Sequence, residues 1–122
     1  MQNDKMVEKL KDLPKIIKEA KEQRYELFLE KNEIVDRLSY HEAQIKDEIL
    51  NEVDEKDKKK YSNETSRKNE FDKRSKIDEN YSNDIKKMRE LDRNITMQNI
   101  EIEYYEDTQR NYRAIFNYGA NS

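Results

Sequence analysis

The chain has 122 residues, of which 43% are Asp, Glu, Lys or Arg and only 33% are apolar. That falls well short of the roughly 45–50% apolar usage of an ordinary globular domain. There are 25 basic and 28 acidic residues, one glycine, one proline and no cysteine. So little turn vocabulary argues against a sandwich, a barrel or a multi-turn α/β domain. The missing cysteine removes disulfides, thiol nucleophiles and Cys-based zinc sites. What remains is one or two long helices around a thin core, a poor wall for a catalytic pocket.

The opening residues, MQNDKMVEKLKD, are polar, and no run of 18 apolar residues follows. Neither a signal peptide nor a transmembrane span is therefore expected, and the cytoplasm is the expected location. Apolar residues in the first half fall at Val7, Leu10, Leu13, Ile17, Ala20, Leu27, Phe28, Ile34, Leu38, Ile45, Ile49 and Val53. The steps are mostly three and four, the helical period. Acid-first pairs at i,i+4 support it: Glu33–Arg37, Glu42–Lys46, Glu52–Lys56 and Asp54–Lys58. Each contributes about 0.3 kcal/mol in an exposed helix. Pro14 suits the first turn of a helix, so residues 14–60 are read as helix 1. Residues 1–13 are then either a short helix joined at a kink or the start of helix 1 itself.

The segment KKKYSNETSRK reads as a turn at residues 61–63. Ser62 or Asn63 offers an N-cap, Glu64 suits the first turn of the next helix, and Lys58, Lys59 and Lys60 suit the last turn of helix 1. Helix 2, residues 64–118, carries a stripe of Phe71, Ile77, Tyr81, Ile85, Met88, Leu91, Ile95, Ile102, Tyr105, Tyr112 and Phe116. Glu64–Lys68, Glu70–Arg74 and Asp72–Lys76 run alongside. Gly119 supplies a C-terminal stop, leaving residues 119–122 as a tail.

Folding back about Tyr61 pairs residues whose numbers add to about 123. Ala20 then meets Ile102, Leu27 and Phe28 meet Ile95, Ile34 meets Met88 and Leu91, and Leu38 meets Ile85. Ile45 faces Ile77 and Val53 faces Phe71 toward the tip, while Leu10 faces Tyr112 and Val7 faces Phe116 at the open end. Lys15, Lys18 and Lys21 come opposite Glu101, Glu103, Glu106 and Asp107. One register satisfies both patterns, as a sequence specifying a single fold should. The expected fold is all-α: a long antiparallel two-helix coiled-coil hairpin, with arms of about 50 residues spanning roughly 75 Å.

That seam is diluted by Arg24, Lys31 and Asp92, and a second stripe lies outside it: Tyr25, Leu29, Met97, Ile100 and Tyr104. Exposed apolar patches of this kind mark interfaces. The first expectation is dimerisation into a four-helix bundle, and the second is docking of a different protein. At the tip, Lys56, Lys58, Lys59, Lys60, Arg67 and Lys68 surround Tyr61, the combination single-stranded nucleic acid favours. Interleaved Asp54, Glu55, Asp57, Glu64 and Glu70 favour a solvated, salt-bridged turn instead. His41, the one histidine, faces Tyr81 in this register and reads as a half-buried polar seam residue. No Glu-x-x-His pair accompanies it, so no metal or cofactor is expected. No P-loop, GxGxxG, HExxH or GxSxG occurs, and an enzyme is not expected.

Ser62-Asn63-Glu64, then Arg67-Lys68 and Glu70, Tyr81, and a long helix ending Tyr112-Arg113-Ala114-Ile115-Phe116 carry a resemblance across roughly the second half of the chain. This stretch resembles small coiled-coil hairpin proteins encoded in phage and prophage early regions of low-GC bacteria, near replication and recombination genes. The resemblance implies an accessory role: assisting phage DNA metabolism, or binding and inhibiting a host protein. The expected function is thus a non-enzymatic interaction protein, adaptor or inhibitor. A single-stranded nucleic-acid-binding accessory and a structural spacer are the alternatives.

Overall fold

The computed structural model describes residues 2–121, with side chains over 4–119. Among the described residues there are three α-helices and no strand: α1 (Gln2–Asn51), α2 (Glu64–Ile77) and α3 (Glu79–Asn121). The chain divides into two compact units. Unit 1 comprises residues 1–29 with 92–122, and unit 2 comprises residues 30–91.

In unit 1 the buried side chains are Leu13, Ile17 and Ala20 of α1 with Ile95 and Ile102 of α3. Leu10, Arg24, Leu27, Gln98, Tyr105 and Tyr112 are half-buried at the same helical spacing. Pro14 lies inside α1 rather than starting it. A proline there deletes one backbone hydrogen bond and crowds the preceding turn. The burial of Leu13 and Ile17 on either side holds the helix through it. Lys9 Nζ lies 3.3 Å from Tyr112 Oη, Lys21 Nζ is 3.6 Å from Glu106 Oε1, and Arg24 Nη1 donates to Asn99 Oδ1 at 2.9 Å. As the α1 partners rise from Lys9 to Arg24, their α3 partners fall from Tyr112 to Asn99. Gln98 Nε2 donates to the Ala20 carbonyl at 3.0 Å and to Gln23 Oε1 at 3.3 Å, a close approach that the small Ala20 side chain permits. Two expected seam residues, Phe28 and Phe116, stand exposed. The helix also runs through Gly119 to Asn121, because that glycine has no positive φ and so provides no left-handed stop. Of the two ends, Met1 and Ser122 lie outside the described residues.

In unit 2, Ile34, Leu38, Ile45 and Ile49 of α1 are buried with Leu91 of α3, and Asp84 is buried among them. Helix α1 stops at Asn51, nine residues before the expected 60. Asp54 is the cause. Its Oδ1 accepts from the backbone N–H of Lys56 at 2.8 Å and of Lys58 at 3.0 Å, bonds that compete with helix continuation. Asp57 N–H reaches the Asp54 carbonyl at 3.1 Å, and Asp57 itself is left-handed at φ 58°. A β-bridge then pairs Val53 with Lys59. This is a three-residue hairpin loop, a type I turn closed by a left-handed residue, which Asp tolerates better than most. Lys58, Lys59 and Lys60 consequently follow that loop, with Lys59 in the bridge itself, and do not form a last helical turn. Val53 is exposed instead of covering Phe71.

The expected helix 2 is two helices. Asn63 caps α2, accepting from Ser66 N–H at 2.8 Å, and Ser66 Oγ in turn reaches the Asn63 N–H at 3.4 Å. Asp78 closes α2 in an extended conformation and caps α3, its Oδ1 accepting from Tyr81 N–H at 2.9 Å. The break swings Ile77 out to 81% exposure, away from the Ile45 it was expected to meet. Helix α2 contains no buried residue.

Candidate functional site

Three regions come forward from the sequence, and each can be built from its residues. The first is the exposed apolar set of unit 1. Tyr25, Leu29, Met97, Ile100 and Tyr104 all belong to this unit and are between 47% and 65% exposed. The helical period sorts them. Tyr25 and Leu29 are four apart on α1; Met97, Ile100 and Tyr104 step by three and four along α3, on a face displaced from buried Ile95 and Ile102. Tyr25 and Tyr104 line different grooves. Tyr25 lines a shallow groove with Pro14, Ile17, Lys18, Lys21 and Glu22. Tyr104 lines another with Lys9, Asp12, Leu13, Ile16 and Tyr112. Beside it, Tyr105 donates to Glu101 Oε1 at 3.0 Å, and donating to that carboxylate raises the tyrosine's pKa.

The second region is the basic tip. Tyr61 is half-buried, with Lys60 Nζ 5.6 Å and the Arg74 guanidinium 5.7 Å from its ring centroid. Arg67 Nη1 lies 3.4 Å from the Tyr61 carbonyl oxygen. Lys60 also lies 3.6 Å from Glu52 Oε1. Two cations of this chain thus already address the π-system that a base would stack on, and both are engaged by carboxylates. Arg67 and Lys68 line an open groove with Lys46, Ile49, Leu50, Glu64 and Phe71. Lys58 and Lys59 are exposed just past the loop.

Arg74 organises this tip, and sequence reasoning gave it only an i,i+4 partner. That partner is present: Arg74 Nε donates to Glu70 Oε1 at 2.9 Å. Its Nη2 also bonds Glu52 Oε2, joining α2 to the residue just past α1. Arg74 holds the carboxyls of Glu52 and Glu70 below the usual range, and they raise its own pKa in return. The helix periodicity ties Glu52 to Lys56, so the longer-range pairing is invisible until Asp54 has ended α1.

The third region is the polar seam of unit 2. Asp84 accepts from Arg37 Nη2 at 2.9 Å and Nε at 3.4 Å, a two-point guanidinium–carboxylate contact. His41 is half-buried, with Nε2 4.0 Å from Asp84 Oδ2 and its ring edge-on to Tyr40 at 6.0 Å. The expected partner Tyr81 instead packs edge-on against Phe71 at 6.1 Å, and burial raises its pKa. Of the sequence-predicted pairs, Glu42–Lys46 forms at 2.8 Å.

Among the described residues no cluster of three or more His, Asp or Glu is arranged to hold a metal ion. No helix among them is long and apolar enough to cross a membrane. Compared with known proteins, the chain matches no family model, no curated protein and no solved structure.

Proposed function

We propose that this chain is a non-catalytic interaction protein: an antiparallel helical hairpin of coiled-coil type that self-associates through unit 1. The observation that carries it is the set Tyr25, Leu29, Met97, Ile100 and Tyr104, five large apolar side chains between 47% and 65% exposed in one unit. Leaving that much apolar surface in water costs solubility unless another surface covers it. The descending partners of Lys9, Lys21 and Arg24 support the hairpin, as does the recurrence of buried residues at steps of three and four. The biological setting we favour is that of a phage-encoded accessory acting in a bacterial cytoplasm by binding another protein, following the resemblance in the second half of the chain.

Light scattering on a gel-filtration column tests the self-association. A clean multiple of 14.9 kDa is expected, and Tyr25→Ser with Tyr104→Ser should return the mass to that of one chain. A wild-type monomer overturns the proposal.

A second reading, single-stranded nucleic-acid binding at the tip, is favoured by exposed Lys58 and Lys59 and weakened by the cations that cover Tyr61. Salt-sensitive binding that is lost on changing Lys58, Lys59 and Lys60 to Glu would establish it. Absent or salt-independent binding ends it.

A further inference from the structure

On α3, a second helical stripe stands clear of the buried one. It runs Arg93, Met97, Ile100, Tyr104 and Asp107, at successive steps of four, three, four and three. All five are exposed: Met97, Ile100 and Tyr104 at 60%, 55% and 65%, and Asp107 with 53% of its side chain open. This is the spacing of a helix–helix seam, here left exposed.

The stripe has a property that a mere patch need not have. Its charges are placed symmetrically and with opposite sign. Arg93 lies seven residues before Ile100 and Asp107 seven residues after it. Reversing α3 on itself about Ile100 therefore sets Arg93 against Asp107 twice, Met97 against Tyr104 twice, and Ile100 against itself. A parallel pairing sets Arg93 on Arg93 and Asp107 on Asp107. Asp107 already pairs with Arg110 three residues on, and a second cation across the contact completes a small network. Isologous contacts of this kind, one patch meeting its own copy about a two-fold axis, are the commonest way that soluble chains dimerise.

We infer that the occupant of this stripe is a second copy of the same chain, with the two α3 helices antiparallel about a two-fold axis at Ile100. The inference rests on the self-association proposed above and adds its orientation and register. Apolar contact at the centre provides the affinity, and the two Arg93–Asp107 pairs at the rim select the direction.

Single-cysteine variants test it directly, since the chain has no cysteine of its own. About a two-fold at Ile100, the two copies of Met97 are offset along the axis by roughly 9 Å, and those of Tyr104 by roughly 12 Å. A disulfide needs Cα atoms within about 7 Å. Ile100→Cys should therefore oxidise to a covalent dimer, whereas Met97→Cys and Tyr104→Cys should each remain single chains. An equimolar mixture of those two variants should cross-link as the heterodimer, because their offset falls to about 1.5 Å. Arg93→Glu should weaken the dimer about tenfold, and Arg93→Glu with Asp107→Arg should restore it. Self-cross-linking at all three positions means a parallel contact and overturns the inference while leaving self-association intact. A dimer by mass that cross-links at none of them places the interface elsewhere, with the same consequence. A monomer by mass removes both proposals.

Discussion

Among the described residues Ile49 is the most completely buried large side chain, at 1% exposure, and it sits two residues before α1 ends. Replacing a buried Ile with Ala costs about 2–5 kcal/mol, the spread reflecting how far the site collapses. Here one wall is an open groove lined by Leu50, Arg67 and Phe71, so neighbouring side chains and water can enter the vacated space. That places Ile49→Ala near the low end, about 2–3 kcal/mol, and Ile49→Val near 1 kcal/mol. A chain of this length typically has about 6–18 kcal/mol of stability, so both variants should fold. The loss should not spread evenly. Helix α2 buries no residue of its own, and 14 residues are too few to stay helical alone in water. With Ile49 shortened, α2 should exchange its amide hydrogens sooner than α1 or α3, as the least stable cooperative segment. Urea melts followed by circular dichroism give the energies, taken at two protein concentrations so that any dimer contribution separates. If Ala and Val variants both melt within about 0.5 kcal/mol of wild type, Ile49 is not the floor of this unit and the reasoning fails.

Pro14 lies in the interior of α1, so Pro14→Ala should raise stability by up to about 3 kcal/mol, read as a higher urea midpoint; an unchanged or lower midpoint would show that the ring's packing matters more than the missing hydrogen bond. Asp78→Ala removes the cap from the first turn of α3 and should cost about 1 kcal/mol, with Asp78→Asn recovering most of it; equal melts for Ala and Asn would discard the cap. Arg74 holds the Glu52 and Glu70 carboxyls below their ordinary value, so the stability they contribute is complete above pH 4.5 and is lost as pH falls through their lower folded values. Acid titration of the folded protein should accordingly be steeper in that window than for Arg74→Gln, and superimposable curves would contradict the assignment.

The helical spacing of Leu13, Ile17, Ala20, Ile34, Leu38 and Ile45 announces their burial correctly, because a thin seam tolerates no other period. What escapes the period is decided by short polar side chains acting on the backbone. Asp54 ends α1 by binding Lys56 and Lys58 N–H, although it also sits four residues before a lysine, where it looks like a helix-stabilising acid. Asp78 breaks the second helix in two from within what reads as an unbroken charged surface. Aspartate is a capping residue by type, but the apolar stripe on either side of both positions continues at helical spacing and favours an unbroken helix. Once those breaks are made, Val53 and Ile77 leave the seam, and Glu52 becomes available to Arg74. The exposed stripe was named residue by residue from the sequence. That Tyr25 and Tyr104 line separate grooves is not legible there, since it depends on which side of the seam each helix turns outward.

Layers of Leu and Ile repeating every seven residues are nearly interchangeable, so a helix pair built from them can slide by one repeat and still bury carbon. Asp84 makes the sliding expensive in unit 2. Moving its partner helix by seven residues either way replaces Arg37 with Glu30 or Gln44. The first presents a like charge, and the second presents an amide where a guanidinium had made a two-point contact. A single carboxylate thereby works as an index mark on an otherwise repetitive scale. During folding, alignments off by one repeat would hold an uncompensated carboxylate and should dissolve before they become traps. A chain whose apolar content is only 33% can ill tolerate such traps, because every misaligned layer leaves part of its small core in water.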